Sequence, residues 1–150
     1  MKLKRLGLTL VGCLLFITDR LLKQFVMLNA AAPTADFFYF NKIINQAGPF
    51  SLPIPFWALL IFSVLALLWL THLAVAAYKQ KNSLRLFGVM LMLAGGLSNI
   101  WDRVVWGGVV DIWQLSFGSD LSFNLSDVYL LIGFVFILLA AKWTGKLQRV

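Results

Sequence analysis

Residues 98–114 read SNIWDRVVWGGVVDIWQ. Two carboxylates, Asp102 and Asp111, and one guanidinium, Arg103, stand here among tryptophans and valines. The surrounding chain of 150 residues is 61% hydrophobic and only 13% charged, with a mean hydropathy of +0.86. A water-soluble domain is nearer half apolar and a quarter charged. A core enclosed by water could not absorb this much apolar surface, so the bilayer is the expected solvent. An ionisable side chain at the centre of a span costs about 2.5–3.5 kcal/mol on insertion scales. The charges in this stretch therefore need a reason to be there.

Working outward, four segments are long enough to cross a bilayer, which takes about 20 apolar residues in a helix. They run over about 6–28, 56–78, 84–105 and 127–143. Backbone groups in lipid must bond internally, so each span is expected to be helical. Lys2, Lys4 and Arg5 precede the first span, Lys79, Lys81 and Arg85 separate the second from the third, and Lys142, Lys146 and Arg149 close the chain. No acidic residue accompanies these clusters. By the positive-inside rule both termini face the cytoplasm and the loops over about 29–55 and 106–126 face outward. Those loops look β-like: DFFYFNKII (36–44) is aromatic and β-branched, and IWQLSF and LSFNL flank a Gly118-Ser119-Asp120 turn. The expected fold class is an all-α membrane protein of four transmembrane helices in one domain, 1–150, with a small extracytoplasmic cradle from the two outer loops.

Several function classes drop out. The net charge of +7 comes from basic residues placed as topology signals, not as a basic patch interleaved with aromatics, so no nucleic acid is expected. The one cysteine, Cys13, excludes an intramolecular disulfide and a cysteine-based metal cluster. It reads as a buried thiol inside the first span. LVGC at 10–13 imitates a lipidation motif, but the apolar run continues past it. The one histidine, His72, reads as a packing or bilayer-facing residue. There is no Glu, P-loop or dinucleotide-binding glycine pattern, and neither metal nor cofactor is expected.

The chain direction brings the polar residues to one membrane level. Asp19, Arg20 and Lys23 lie in the outer half of the first span. Asn99, Asp102 and Arg103 lie near the outer end of the third. Asn124, Ser126 and Asp127 stand at the outer start of the fourth. Asp111 can fold back to that level after the Gly107-Gly108 break, and Asn45 and Gly48 of the first outer loop can cover it. Asp19 with Lys23, and Asp102 with Arg103 or Arg20, can be read as structural ion pairs. Asp111 and Asp127 have no basic neighbour within four residues. Two carboxylates brought together at low dielectric do not both ionise easily, and such a pair can activate water.

DRLLK (19–23), NQAGPFS (45–51), GGLSNIWDRVVWGGVVDIW (95–113) and FNLSD (123–127) occur in the order and topological places seen in lipoprotein signal peptidase, signal peptidase II. The chain resembles that family over nearly its whole length. The resemblance implies an aspartyl endopeptidase of the bacterial inner membrane, with its active site at the outer leaflet. It would remove the signal peptide from diacylglyceryl-modified prolipoprotein, cutting before the lipidated cysteine. By motif position Asp111 and Asp127 match the catalytic pair. Asn45, Asn99, Arg103 and Asn124 match substrate-site residues, and Asp19, Lys23, Gly48 and Asp102 match supporting ones. The implied partners are the lipidated substrate and membrane lipid, with a monomer expected. The chain departs from the family pattern at Ser98, where glycine is usual, at Ser126, where alanine is usual, and in the 45–51 loop, where a proline is inserted and Ile44 replaces a basic residue. Two other readings are a relative that binds lipidated peptides without cutting them, and a proton-coupled transporter.

Overall fold

The computed structural model describes residues 2–29, 38–48, 52–116 and 120–147. The element order is α1 (Lys2–Asn29), β1 (Phe38–Asn45), α2 (Phe56–Lys79), α3 (Ser83–Trp106), β2 (Val109–Ser116), β3 (Asp120–Phe123) and α4 (Leu125–Leu147). The turn expected at Gly118-Ser119 and the inserted Pro49 lie outside the described residues.

Three helical segments, Phe56–Lys79, Ser83–Trp106 and Leu125–Lys142, are long and apolar enough to cross a membrane. The expectation of four spans is met for these three. α1 has the length, 28 residues, but Lys2, Lys4, Arg5, Asp19, Arg20 and Lys23 keep its composition from qualifying. The distribution of those residues is informative. Leu6, Leu10, Leu14, Ile17, Leu21, Phe25 and Leu28 form one exposed apolar stripe, whereas Asp19, Lys23 and Val26 are buried. Steps of three and four place each set on one helix face. A helix in water buries its apolar face; α1 does the reverse for its charges.

α3 is the central helix and packs against α1, α2 and α4. Leu70, Leu73, Ala74 and Ala77 of α2 meet Leu86 and Val89 of α3. Leu91 and Ala94 of α3 meet Tyr129 of α4. The α3–α4 approach is close: a Cβ on Gly95 would lie 2.5 Å from the Ser126 carbonyl oxygen. That contact holds the start of α4 against the polar turn of α3. Asn82 caps α3, its Oδ1 accepting from Arg85 N at 3.0 Å.

The outer segments make one antiparallel sheet in the order β1-β2-β3, as the β-like reading of the two outer loops expected, beside an otherwise helical fold. α3 ends at Gly107, which takes φ 72° and donates its N–H to the Arg103 carbonyl at 3.1 Å. A left-handed residue at this place is the usual helix stop. The chain then turns directly into β2. Between β1 and β2, Phe40 pairs with Trp113 but Ile43 pairs with Asp111. One extra β1 residue is thereby inserted. Side chains alternate along a strand, so a one-residue shift exchanges the faces. Regular pairing would set Lys42 opposite Asp111; the bulge sets Ile43 there and turns Asn45 to the face of Asp111.

Two smaller expectations divide. His72 is exposed on α2, as a bilayer-facing residue would be. Cys13 is exposed on α1, not buried as expected. It lines an apolar groove between α1 and α3 with Phe16, Met90 and Leu97.

Candidate active site

The polar residues form two connected groups, one behind the other. The first ties α1 to α3. Lys23 Nζ lies 3.2 Å from Asp19 Oδ2 and 2.7 Å from Asp102 Oδ2. Arg20 Nη2 lies 2.7 Å from Asp102 Oδ1 and 3.4 Å from Asp19 Oδ2. Two cations thus face two carboxylates. Asp19 and Asp102 are both fully buried, where removing either cation would leave a costly uncompensated charge. Of the two partners open to Asp102 from the sequence, Arg20 is the one it meets. Arg103 instead donates from Nη1 to the Asn99 carbonyl oxygen at 3.2 Å.

Both serine departures belong to this group. The Ser98 hydroxyl donates to Asp19 Oδ2, and Ser126 Oγ accepts from Lys23 at 3.4 Å. Asp102 also reaches forward, its Oδ2 accepting from Val110 N of β2 at 3.1 Å. That bond fixes the strand that carries the neighbouring Asp111.

Asn99 joins the two groups. Its Oδ1 accepts from Lys23 at 3.0 Å, and its Nδ2 donates to Asp127 Oδ1 at 3.0 Å. Lysine can only donate and a carboxylate accepts, so the amide has one useful orientation.

The second group centres on Asp111 and Asp127. Asp111 Oδ1 accepts from Asn124 Nδ2 at 2.9 Å. Its Oδ2 accepts from Ser122 Oγ at 2.6 Å and from Asn45 Nδ2 at 3.1 Å. Asn124 and Asp127 are linked reciprocally. Asp127 N donates to Asn124 Oδ1 at 3.1 Å, and Asn124 N donates to Asp127 Oδ2 at 3.1 Å. This is a capping box at the start of α4, with Asn and Asp in the two roles. The same Asn124 side chain that caps the helix therefore also holds Asp111. One fully buried residue connects both carboxylates, Asp111 through its side-chain amide and Asp127 through its backbone N–H.

Sequence reasoning gathered Asn45, Asn99, Arg103, Asp111, Asn124 and Asp127, and the structure brings all six together. Gly48 is buried at the edge of the same cleft, its N–H donating to the Leu52 carbonyl at 2.9 Å. Asp19, Lys23 and Asp102 lie behind the cleft. Ser122 was not anticipated. Its only sequence signal is a hydroxyl two residues before Asn124 in an extended stretch. The N-x-x-D capping pattern at 124–127 was also readable, and it predicts the Asn124–Asp127 link directly.

Asp111, Asp127, Asn45, Asn99, Arg103 and Ser122 line a cleft of 310 Å³ beneath the sheet. A second groove of 570 Å³ shares Asn99, Arg103 and Asp127, then continues between α2, α3 and α4 past Ala58, Phe62, Leu67 and Leu130. Polar cleft and apolar groove meet at Asp127. Among the described residues, no three His, Cys, Asp or Glu side chains converge as metal ligands. The arrangement offers two hydrogen-bonded carboxylates, amide donors and one guanidinium beside an apolar surface.

The fold is that of a bacterial membrane enzyme. A solved structure described as a bacterial membrane enzyme at 2.3 Å resolution superposes with a TM-score of 0.74, covering 93% of this chain and 89% of the other at 21% identity. A second, at 1.9 Å, gives 0.71 over 90% and 92% at the same identity. With three membrane-capable helices, this makes the chain a membrane protein. It belongs to the signal peptidase II family, whose sequence model matches residues 11–143. Among its relatives, the lipoprotein signal peptidase of Streptococcus pneumoniae is 27% identical over 146 residues, 91% of this chain and 93% of the relative. That of Shewanella baltica strain OS195 is 31% identical over 146 residues, 91% and 85%.

Proposed function

We propose that this chain is an aspartyl endopeptidase that removes the signal peptide from diacylglyceryl-modified prolipoproteins, cutting before the lipidated cysteine. The observation that carries this reading is the double engagement of Asn124, which binds Asp111 through its side chain and Asp127 through a reciprocal cap. Two carboxylates held by one buried residue act as a unit. Between them they hold a water and a single proton. One carboxylate takes a proton from the water as its oxygen attacks the scissile carbonyl carbon. The other gives a proton to the amide nitrogen as the C–N bond breaks. The products are a carboxylate terminus and a free amine.

The remaining residues supply positioning. Asn45 and Asn99 hold one carboxylate each by an amide donor. Arg103, half-buried on the cleft wall, is placed to receive a carbonyl or ester oxygen of the substrate. Asp19, Lys23 and Asp102 brace α1, α3 and β2 behind them. The whole apparatus lies within one domain.

The membrane placement supports the same reading. α1 spans about 42 Å at 1.5 Å per residue, more than the hydrocarbon core needs. Its exposed leucine stripe suits lipid, so α1 makes the fourth span, with both termini in the cytoplasm and the sheet outside. A substrate held by acyl chains presents its scissile bond at the outer leaflet of the inner membrane. The cleft, opening into an apolar groove at Asp127, suits a substrate that is part peptide and part lipid.

The test is incubation of the purified protein in detergent with a diacylglyceryl-prolipoprotein. The expected result is a mobility shift from loss of the signal peptide, with unlipidated precursor left intact. Retention of bound, uncut lipidated substrate would replace this reading with a binding role.

A further inference from the structure

Asp111 has three described hydrogen-bond partners, and they are not chemically alike. Asn45 Nδ2 and Asn124 Nδ2 can only donate. The Ser122 hydroxyl can donate or accept, because its hydrogen rotates. It is also the shortest of the three contacts, at 2.6 Å against 3.1 and 2.9 Å. Ser122 is half-buried and lines the cleft itself, so its oxygen stands beside the place where water and substrate enter. Asn45 shares Asp111 Oδ2 with it.

We propose that Ser122 is a positioning residue for Asp111 that follows its protonation state. This rests on the aspartyl reading above. When Asp111 is ionised, the hydroxyl donates to Oδ2. When Oδ2 carries a proton during the reaction, the hydroxyl rotates, accepts from it, and turns its own hydrogen toward the cleft. No bond to Ser122 forms or breaks, and the proton stays on the carboxyl. An amide at this place would oppose the protonated state, since two N–H groups would then face an O–H. The hydroxyl lets one carboxyl hold its geometry in both states of the cycle.

Other charged groups face Asp111, and each is accounted for. Asp127 approaches from α4 and Arg103 from α3, both on the same cleft. Lys23 of α1 reaches this region through Asn99. Lys42 of β1 is turned away, donating to the Met27 carbonyl at 3.2 Å. None of these can exchange donor for acceptor as the hydroxyl does.

The experiment is the pH profile of kcat, with KM, for full-length wild type, Ser122→Ala, Ser122→Cys and Ser122→Thr in detergent on lipidated substrate. Ser122→Ala is expected to lower kcat about tenfold, the low end for losing a bond to a charged group, with KM nearly unchanged. Removing a donor to the carboxylate disfavours the ionised form, so the acid limb of the profile moves to higher pH. Ser122→Thr restores both height and limb. Ser122→Cys, nearly isosteric but a weak donor, falls between and keeps the test open if the alanine variant unfolds. Unmoved limbs in the alanine and cysteine variants, or a threonine variant as impaired as alanine, would overturn the proposal. Asp111→Asn run alongside separates the two levels: normal cleavage by it removes the aspartyl reading, whereas its inactivity with an unmoved Ser122→Ala profile removes only the role of Ser122.

Discussion

Replacing Asn124 separates the helix cap from the hold on Asp111, because one side chain does both. Its Oδ1 caps α4 by accepting from Asp127 N, and its Nδ2 donates to Asp111 Oδ1. Asn124→Asp keeps a good cap, since Asp and Asn are near-equal at this position. It also exchanges the donor facing Asp111 for a carboxylate oxygen. A hydrogen bond to a charged group contributes about 1.5–3 kcal/mol, and the new like-charge contact adds to the loss. At 1.36 kcal/mol per factor of ten, kcat should fall about 10- to 100-fold or more, and the added buried carboxylate lowers thermal stability although the cap is kept. Asn124→Ala loses the cap as well, about 1 kcal/mol, and leaves the Asp111 Oδ1 acceptor without this partner at about 1–3 kcal/mol. It should therefore be clearly destabilised in addition to being slow. The assay pairs single-turnover cleavage with thermal unfolding in detergent. The reasoning fails if Asn124→Asp cleaves at the wild-type rate, or if Asn124→Ala keeps wild-type stability.

Deletion of Ile44 moves Asn45 from opposite Val109 to opposite Val110 and so turns it away from Asp111. Cleavage should drop at least tenfold, the scale of one charge-assisted bond, whereas Asn41→Ser, which keeps the register, should stay near wild type. In a Cys13→Ala background, cysteine at the exposed Gln46 should react in whole cells with an impermeant thiol reagent, and cysteine at the exposed Gln80 should react only after lysis. The reverse pattern would invert the topology and the depth of the site.

Much of this site is legible in the sequence because lipid makes polar residues conspicuous. Asp19, Lys23, Asn99, Asp102 and Arg103 stand out in apolar helices, and helix direction alone puts them at one level. Asp111 and Asp127 stand out further by lacking nearby cations. Polarity does not, however, assign partners. Arg20 and Arg103 were equal candidates for Asp102, and only the packing of α1 on α3 chose Arg20. The reading of α1 carries the same lesson: its charges lower its composition below that of a spanning segment, while its geometry turns them inward. Ser122 and the β1 bulge were invisible for a different reason. A serine in an outer loop is ordinary, and strand register depends on both partners at once. Cys13 was misread because an apolar neighbourhood in sequence does not tell a core-facing residue from a lipid-facing one.

The central claim is that Asp111 and Asp127 together perform the cleavage. Asp111→Asn and Asp127→Asn are nearly isosteric, and each keeps one of the two oxygens that accept hydrogen bonds. Single-turnover cleavage of a diacylglyceryl-prolipoprotein by each folded variant measures the claim directly. General acid–base help is typically worth about 10²–10⁴-fold, and each variant should lose at least the upper part of that range while binding substrate normally. Asp36→Asn, outside the cluster in sequence, should cleave at the wild-type rate. Near-normal cleavage by either the Asp111 or the Asp127 variant would contradict the account.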